Sequence, residues 1–259
     1  MNSAEEFLIR HKMNPELICP ARCAEQNLLC RFLIILLIVI MLLSFSVIPA
    51  QSAFAEDEIP EDWFDDALFI GDSITGSLCN KVLMDGGLGQ AQILYVNGLS
   101  CHGIIRDNRT IPYMGNGLAI SEILQKSKAN KLFLMLAMND IGQKDEVLVE
   151  SWTKLISNIR EKCPDVKIFI QSGTPLFFEH DWFTNANMTA YNELLQNLCE
   201  ELDCVYVDVT AGLAGADGCM LEEYHLDSLH LTIAACEIWI KNLKEPANYS
   251  ADIMEGNND

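Results

Sequence analysis

Four short stretches of this chain combine the residue types that acyl transfer requires. Gly71-Asp72-Ser73 offers a hydroxyl nucleophile, and Asp227-Ser228-Leu229-His230 offers an imidazole with a carboxylate three residues before it. Asn97-Gly98-Leu99-Ser100 and Ala137-Met138-Asn139-Asp140 offer a backbone N–H and an amide side chain as donors to an oxyanion. A serine hydroxyl becomes a useful nucleophile when a neutral imidazole takes its proton. The imidazole in turn needs a carboxylate to fix its tautomer and stabilise the cation it becomes. Donors aimed at the developing negative oxygen each lower the barrier by about 3 kcal/mol. The candidate roles are therefore Ser73 as nucleophile, His230 as base and Asp227 as orienting acid. The N–H of Ser73, the N–H of Gly98 and the amide of Asn139 are the candidate oxyanion donors.

Each stretch alone has a plainer reading. Ser73 suits a helix N-cap, and Asp227 could cap the helix that follows His230. Asn139-Asp140 is a turn former, with Asp140 read as structural, and Gly98 is a turn glycine. Their places in the chain raise their weight. Ser73 follows the apolar run Ala67-Leu68-Phe69-Ile70, and Asn139 follows Leu132-Phe133-Leu134-Met135-Leu136. Both runs read as buried strands, and ligands of open α/β folds bind beyond the carboxyl ends of strands.

Apolar patterning places strands at 67–70, 92–96, 131–137, 166–171 and 204–208. It places helices at 74–85, 117–128, 145–162, 188–202 and 231–243. Leu148, Trp152, Leu155, Ile156 and Ile159 form one apolar stripe, and Tyr191, Leu194, Leu195, Leu198 and Leu202 form another, both read as core packing. Alternating strands and helices predict an α/β domain, a three-layer α/β/α sandwich with a mostly parallel five-stranded sheet. The expected domain spans 67–244, about 180 residues, enough to bury a core.

This ordered set resembles the SGNH hydrolases, also called GDSL esterases and lipases, over about residues 66 to 243. Gly71-Asp72-Ser73 matches the family's first block, and Asp227-Ser228-Leu229-His230, continuing into Leu231-Thr232, resembles the last. The resemblance implies a flavodoxin-like fold, a Ser73–His230–Asp227 triad and Asn139 as oxyanion donor, with no metal or other cofactor. Two departures stand out. Ala137 replaces the usual glycine of the Gly-x-Asn-Asp block. In Asn97-Gly98-Leu99-Ser100-Cys101, either Gly98 or Cys101 can take the place of the oxyanion glycine, and Gly98 is favoured.

Residues 32–49 carry no charge and total 18, the lower limit for a membrane-crossing helix. Arg10, Lys12, Arg22 and Arg31 precede the run, which predicts a cytoplasmic segment 1–31 and export of the remainder. Two readings of the apolar segment 32–50 compete. In one, it is a signal peptide core, cut after Ala53-Phe54-Ala55; in the other, it stays as a transmembrane anchor. An acidic linker, 51–66, follows, and the polar tail is 245–259. The catalytic domain is expected outside the cytoplasm, secreted or held at the membrane by that segment.

The formal net charge is −20, from 17 basic and 37 acidic residues. Four of each lie in residues 1–31, so the whole excess belongs to the exported part. Such a balance argues against a nucleic-acid partner, which needs a basic footprint. It suits a neutral small-molecule or glycan ester. Of ten cysteines, seven fall after residue 55, and no C-x-x-C pair supports a zinc site. Asn108, Asn187 and Asn248 begin sequons that matter only in a eukaryotic secretory route. His102, His180 and His225 lack a partner pattern, though His225 sits beside Asp227. Trp182 and Phe183 stand as candidate walls for an acyl group or a sugar.

The function expected is an exported serine esterase acting on carboxylic esters of glycans, cell wall or lipids. The alternatives are an acyltransferase using the same residues on a glycan hydroxyl, and a silent binding domain on the same fold.

Overall fold

The computed structural model describes residues 58–250. The segment 1–31, the apolar segment 32–50, linker residues 51–57 and residues 251–259 lie outside the described residues. Among the described residues, no helix is long and apolar enough to cross a membrane.

The sheet is built from β1 (Ala67–Gly71), β2 (Gln92–Tyr95), β5 (Lys131–Met135), β6 (Lys167–Gln171) and β7 (Val205–Val207). Its spatial order is β2-β1-β5-β6-β7, and every neighbouring pair is parallel. Five strands in this order make the flavodoxin-like doubly wound arrangement, with its switch point beside β1. A short antiparallel hairpin, β3 (Ile111–Tyr113) with β4 (Asn116–Leu118), stands apart from the sheet.

The helices are α1 (Ser73–Asp85), α2 (Cys101–Asp107), α3 (Ile120–Ser127), α4 (Asp145–Lys162), α5 (Asn185–Glu201) and α6 (Ile233–Leu243). α1 packs with α6, whereas α2 and α3 pack with α4. α5 joins the latter group through Trp152 Nε1, which donates to Tyr191 Oη at 3.0 Å. The two expected stripes do face inward: Leu148, Trp152, Leu155, Ile156 and Ile159 are buried, as are Tyr191, Leu195 and Leu198. The sequence pattern missed α2 and the hairpin, and it began α3 too early because 116–118 is a strand. Hydrophobic periodicity needs more length than seven or three residues provide.

β1, β5 and β6 are held face to face by an aromatic ladder. Phe69, Phe133 and Phe169 occupy the same register on adjacent strands. Their rings stack with centroids 4.4 Å apart in both steps and nearly parallel planes. Trp63 and Phe64, from the turn before β1, close over the ladder edge-on or tilted. At the amino end of β5, buried Lys131 pairs with Asp66 and lies over the Trp63 ring. These contacts sit away from the strand carboxyl ends, so they fix the scaffold without occupying the site. All seven cysteines among the described residues are free. Burial pushes the Cys199 and Cys236 thiols up to about 12, which keeps them unreactive at neutral pH.

Phe133→Ala removes the middle of the ladder and leaves a cavity between two rings. We expect a loss of about 3–5 kcal/mol in urea unfolding. A loss below 1 kcal/mol would mean that the ladder relaxes and contributes little.

Candidate active site

The carboxyl ends of β1 and β5 lie side by side and deliver the first two components. β1 ends at Gly71, Asp72 caps α1, and Ser73 is its first residue. A glycine is required here by close approach: a Cβ on Gly71 would stand 2.6 Å from the Met135 carbonyl and collide with the Thr75 side chain. Asp72 is fully buried and accepts the Ile74 N–H at 2.9 Å. Its other oxygen accepts from Asn139 Nδ2 at 2.8 Å, and the same amide nitrogen donates to the Leu99 carbonyl at 3.1 Å. Asn139 therefore stands fixed beside Ser73, which is half-buried and keeps its own N–H at the open end of α1.

Burial raises the Asp72 carboxyl to about 6, against the pull of the Ile74 N–H, the Asn139 amide and the His230 charge. The loop 225–231 leads directly into α6, which packs against α1.

In that loop Asp227 and His230 are joined directly. His230 Nδ1 and Asp227 Oδ2 are 2.8 Å apart, and the His230 N–H donates to Asp227 Oδ1 at 2.8 Å. These two contacts hold the Asp227 carboxyl below its usual range. With Nδ1 committed to Asp227, Nε2 is the nitrogen left to face a hydroxyl. Among the described residues no direct hydrogen bond joins His230 to Ser73 Oγ; such contacts often tighten only when substrate is bound.

The second strand end supplies the Asn97–Cys101 loop. Leu99 N–H closes a turn onto the Val96 carbonyl, with exposed Gly98 at φ +68° in its third position. The N–H of Cys101 faces the buried carboxylate of Asp140, which also accepts the His102 N–H at 3.1 Å. Asp140 thus anchors the start of α2, in line with its structural reading. The Cys101 thiol is buried, and burial together with Asp140 pushes it well up.

The GDSL-like lipase/acylhydrolase family profile matches residues 69–238, from β1 through α6. The chain belongs to that family. Its structure is similar to that of a GDSL-like lipase from Bacteroides thetaiotaomicron, with TM-score 0.55, 12% identity, and coverage of 73% of this chain and 91% of that one. It is also similar to an acetyl-xylooligosaccharide esterase from Geobacillus stearothermophilus (TM-score 0.52, 14% identity, 71% and 94% covered). A Streptococcus pneumoniae protein described as a platelet activating factor gives TM-score 0.54 at 19% identity, with 82% and 99% covered. At these identities the likeness is one of fold. A search of curated proteins finds no match.

The departure of this GDSL-family chain at Ala137 has a local compensation. The Ala137 methyl lies where a Cβ on Gly173, at the end of the neighbouring β6, would come within 2.7 Å. The side chain gained on one strand end is accommodated by its absence on the next.

Two contributors to the site escaped sequence reasoning. One is Asp72, whose signal was its position just before a helix, where Asp is a favoured cap. The other is His225. Its Nδ1 accepts the Ser228 N–H at 3.0 Å, which supports Ser228 at φ +75° between Asp227 and His230. The proton then sits on Nε2, which is buried and unpartnered among the described residues. The Phe177 ring covers the imidazole at 3.8 Å. No spacing rule marks such a residue.

The raised Asp72 carboxyl has a defined sign. The folded chain holds that proton more tightly than the unfolded chain, so the contribution to stability is complete below the ordinary 3.8 and is lost as pH rises through about 6. Asp72→Asn abolishes this dependence. The stability of the variant relative to the parent should rise by about 2–3 kcal/mol between pH 4 and pH 8 in urea unfolding; a flat difference would contradict the raised carboxyl. His225→Leu strands the Ser228 N–H and should cost about 1–3 kcal/mol, whereas His225→Asn, which keeps an acceptor, should lose less.

Proposed function

We propose that this chain is an exported serine esterase that cleaves carboxylic esters through an acyl-enzyme. The reading is carried by one observation: the Asp227–His230 pair, 2.8 Å apart, sits on the loop that enters α6, the helix packed against α1, whose first residue is Ser73. His230 Nε2 takes the Ser73 proton, and Ser73 Oγ attacks the ester carbonyl. Asp227 holds the imidazole through Nδ1 and stabilises the cation that forms. The alkoxide collapses, His230 returns the proton to the leaving alcohol, and water repeats the sequence to release the acid.

The oxyanion is received by the N–H of Ser73 at the start of α1, by the N–H of Gly98 and by the amide of Asn139. The helix start adds a partial positive charge at the same place. Gly98 is assigned ahead of Cys101 because the Cys101 N–H is drawn toward Asp140. Both hydrogens of the Asn139 amide are engaged, one by Asp72 at 2.8 Å and one by the Leu99 carbonyl at 3.1 Å, so its donation to the oxyanion requires release of the longer bond to Leu99 while Asp72 keeps the side chain in place. The two backbone N–H donors are set in advance and cost no reorganisation during reaction. Export follows from the apolar segment 32–50, and the acidic surface suits an uncharged ester.

The test is labelling with a fluorophosphonate probe followed by peptide mapping. The parent should carry the adduct on Ser73, and Ser73→Ala should carry none; equal labelling of both would end the proposal. Asn139→Ala should lower kcat by about 100- to 1,000-fold with little change in KM.

A further inference from the structure

We propose that Trp182 is a stacking platform for a neutral sugar ring, so that the ester taken by this site is an O-acylated carbohydrate. The inference rests on the esterase reading and narrows its substrate. The loop from β6 to α5 crosses the site and touches both of its halves. At one end the Phe177 N–H donates to the Ser228 carbonyl at 3.3 Å, and the Phe177 ring lies on His225, within the loop that carries Asp227 and His230. At the other end Trp182 leans on Gly142, three residues beyond Asn139. The loop thus runs from the base to the oxyanion side, where the alcohol or acyl portion of a substrate must lie.

Trp182 is 58% exposed, whereas Trp63, Trp152 and Trp239 are buried. Its position is nevertheless fixed. His180 and Phe183 exchange backbone hydrogen bonds of 3.1 and 2.8 Å, which closes a tight turn with Trp182 inside it. Asn187 Nδ2 donates to the Trp182 carbonyl, and the Phe183 ring meets the indole at 5.8 Å and 86°. The indole approaches Gly142 by its Cε3 corner. A Cβ built there would lie 2.7 Å from Cε3 and 3.4 and 3.5 Å from the atoms bonded to it. The contact is thus confined to one corner of the indole, and 58% of the residue stays open to solvent.

An exposed, rigid aromatic face meets the C–H face of a pyranose well, because the ring's negative π surface attracts the weakly positive hydrogens. The sugar hydroxyls then project past the rim of the indole. Exposed His180 and Asp181 directly precede Trp182, exposed Gln143 directly follows Gly142, and all three can exchange hydrogen bonds with them. A long acyl chain needs a continuous apolar wall instead. Here three exposed polar residues, Glu179, His180 and Asp181, separate Phe178 from Trp182. The net charge of −20 disfavours an anionic sugar.

The experiment uses the full chain with Trp182→Ala and Trp182→Phe, and the substrates are an acetylated xylo-oligosaccharide and ethyl acetate, which has no ring. The Ala variant should lose at least tenfold more kcat/KM on the sugar ester than on ethyl acetate, mainly through KM. Trp182→Phe should restore most of that difference. Equal losses on both substrates, or a parent that prefers a decanoyl ester over the sugar ester, overturn the platform. Binding is read separately in Ser73→Ala titrated with unacetylated xylo-oligosaccharide. The emission of the exposed Trp182 should be quenched and shifted to the blue, and the response should vanish in Ser73→Ala/Trp182→Ala. A parent that hydrolyses no ester yet gives this response would defeat the esterase reading alone. Absence of the response defeats the platform.

Discussion

A carboxylate enclosed between β1 and α1 governs the arrangement of the site. Asp72 has no exposed surface, and leaving its charge unmet there would cost several kcal/mol. Its acceptors are used in two directions. One oxygen takes an N–H from the first turn of α1, which sets the angle at which Ser73 enters the helix. The other takes the Asn139 amide from the end of β5. A single side chain therefore ties the start of α1, where Ser73 sits, to the Asn139 amide across two parallel strands. The raised carboxyl, about 6, expresses how incompletely these partners offset burial.

The remaining half of the site follows a different design. Asp227 and His230 are partly exposed and belong to a short loop rather than a strand end. The loop keeps its shape through internal contacts: Leu226 N–H to the His230 carbonyl, Ser228 N–H to His225, and two N–H groups to Asp227. Phe177 ties it to the end of β6. A buried half and a braced surface half thus differ in design, and the β6–α5 loop touches the surface half through Phe177 and Gly142 through Trp182.

Much of the architecture was legible in the chain. The five strands and five of the six helices fall where apolar runs and stripes place them, because buried parallel strands read as unbroken apolar segments and amphipathic helices repeat every three to four residues. Helix α2 did not. It is seven residues long, contains Gly103, and is capped locally by Ser100 but anchored by Asp140, 38 residues away from His102. Local pattern has no access to such a partner. The same reason hid Asp72, which accepts from the distant Asn139 amide, whereas His225 was hidden because its donor, the Ser228 N–H, belongs to an irregular loop.

The order of the chain alone determined which chemistry was available: a serine after a buried strand, an amide after another, and a carboxylate three residues before an imidazole. Those features depend only on local residue type and spacing. Tertiary structure decided what spacing cannot encode, namely that β1 lies between β2 and β5, so that Ser73 and Asn139 share one edge. It also decided that Asp72 holds Asn139, that Gly173 makes room for Ala137, and that Trp182 reaches across to Gly142. Each is a contact between residues more than 30 positions apart, and only the closing of the sheet brings them within reach of one another.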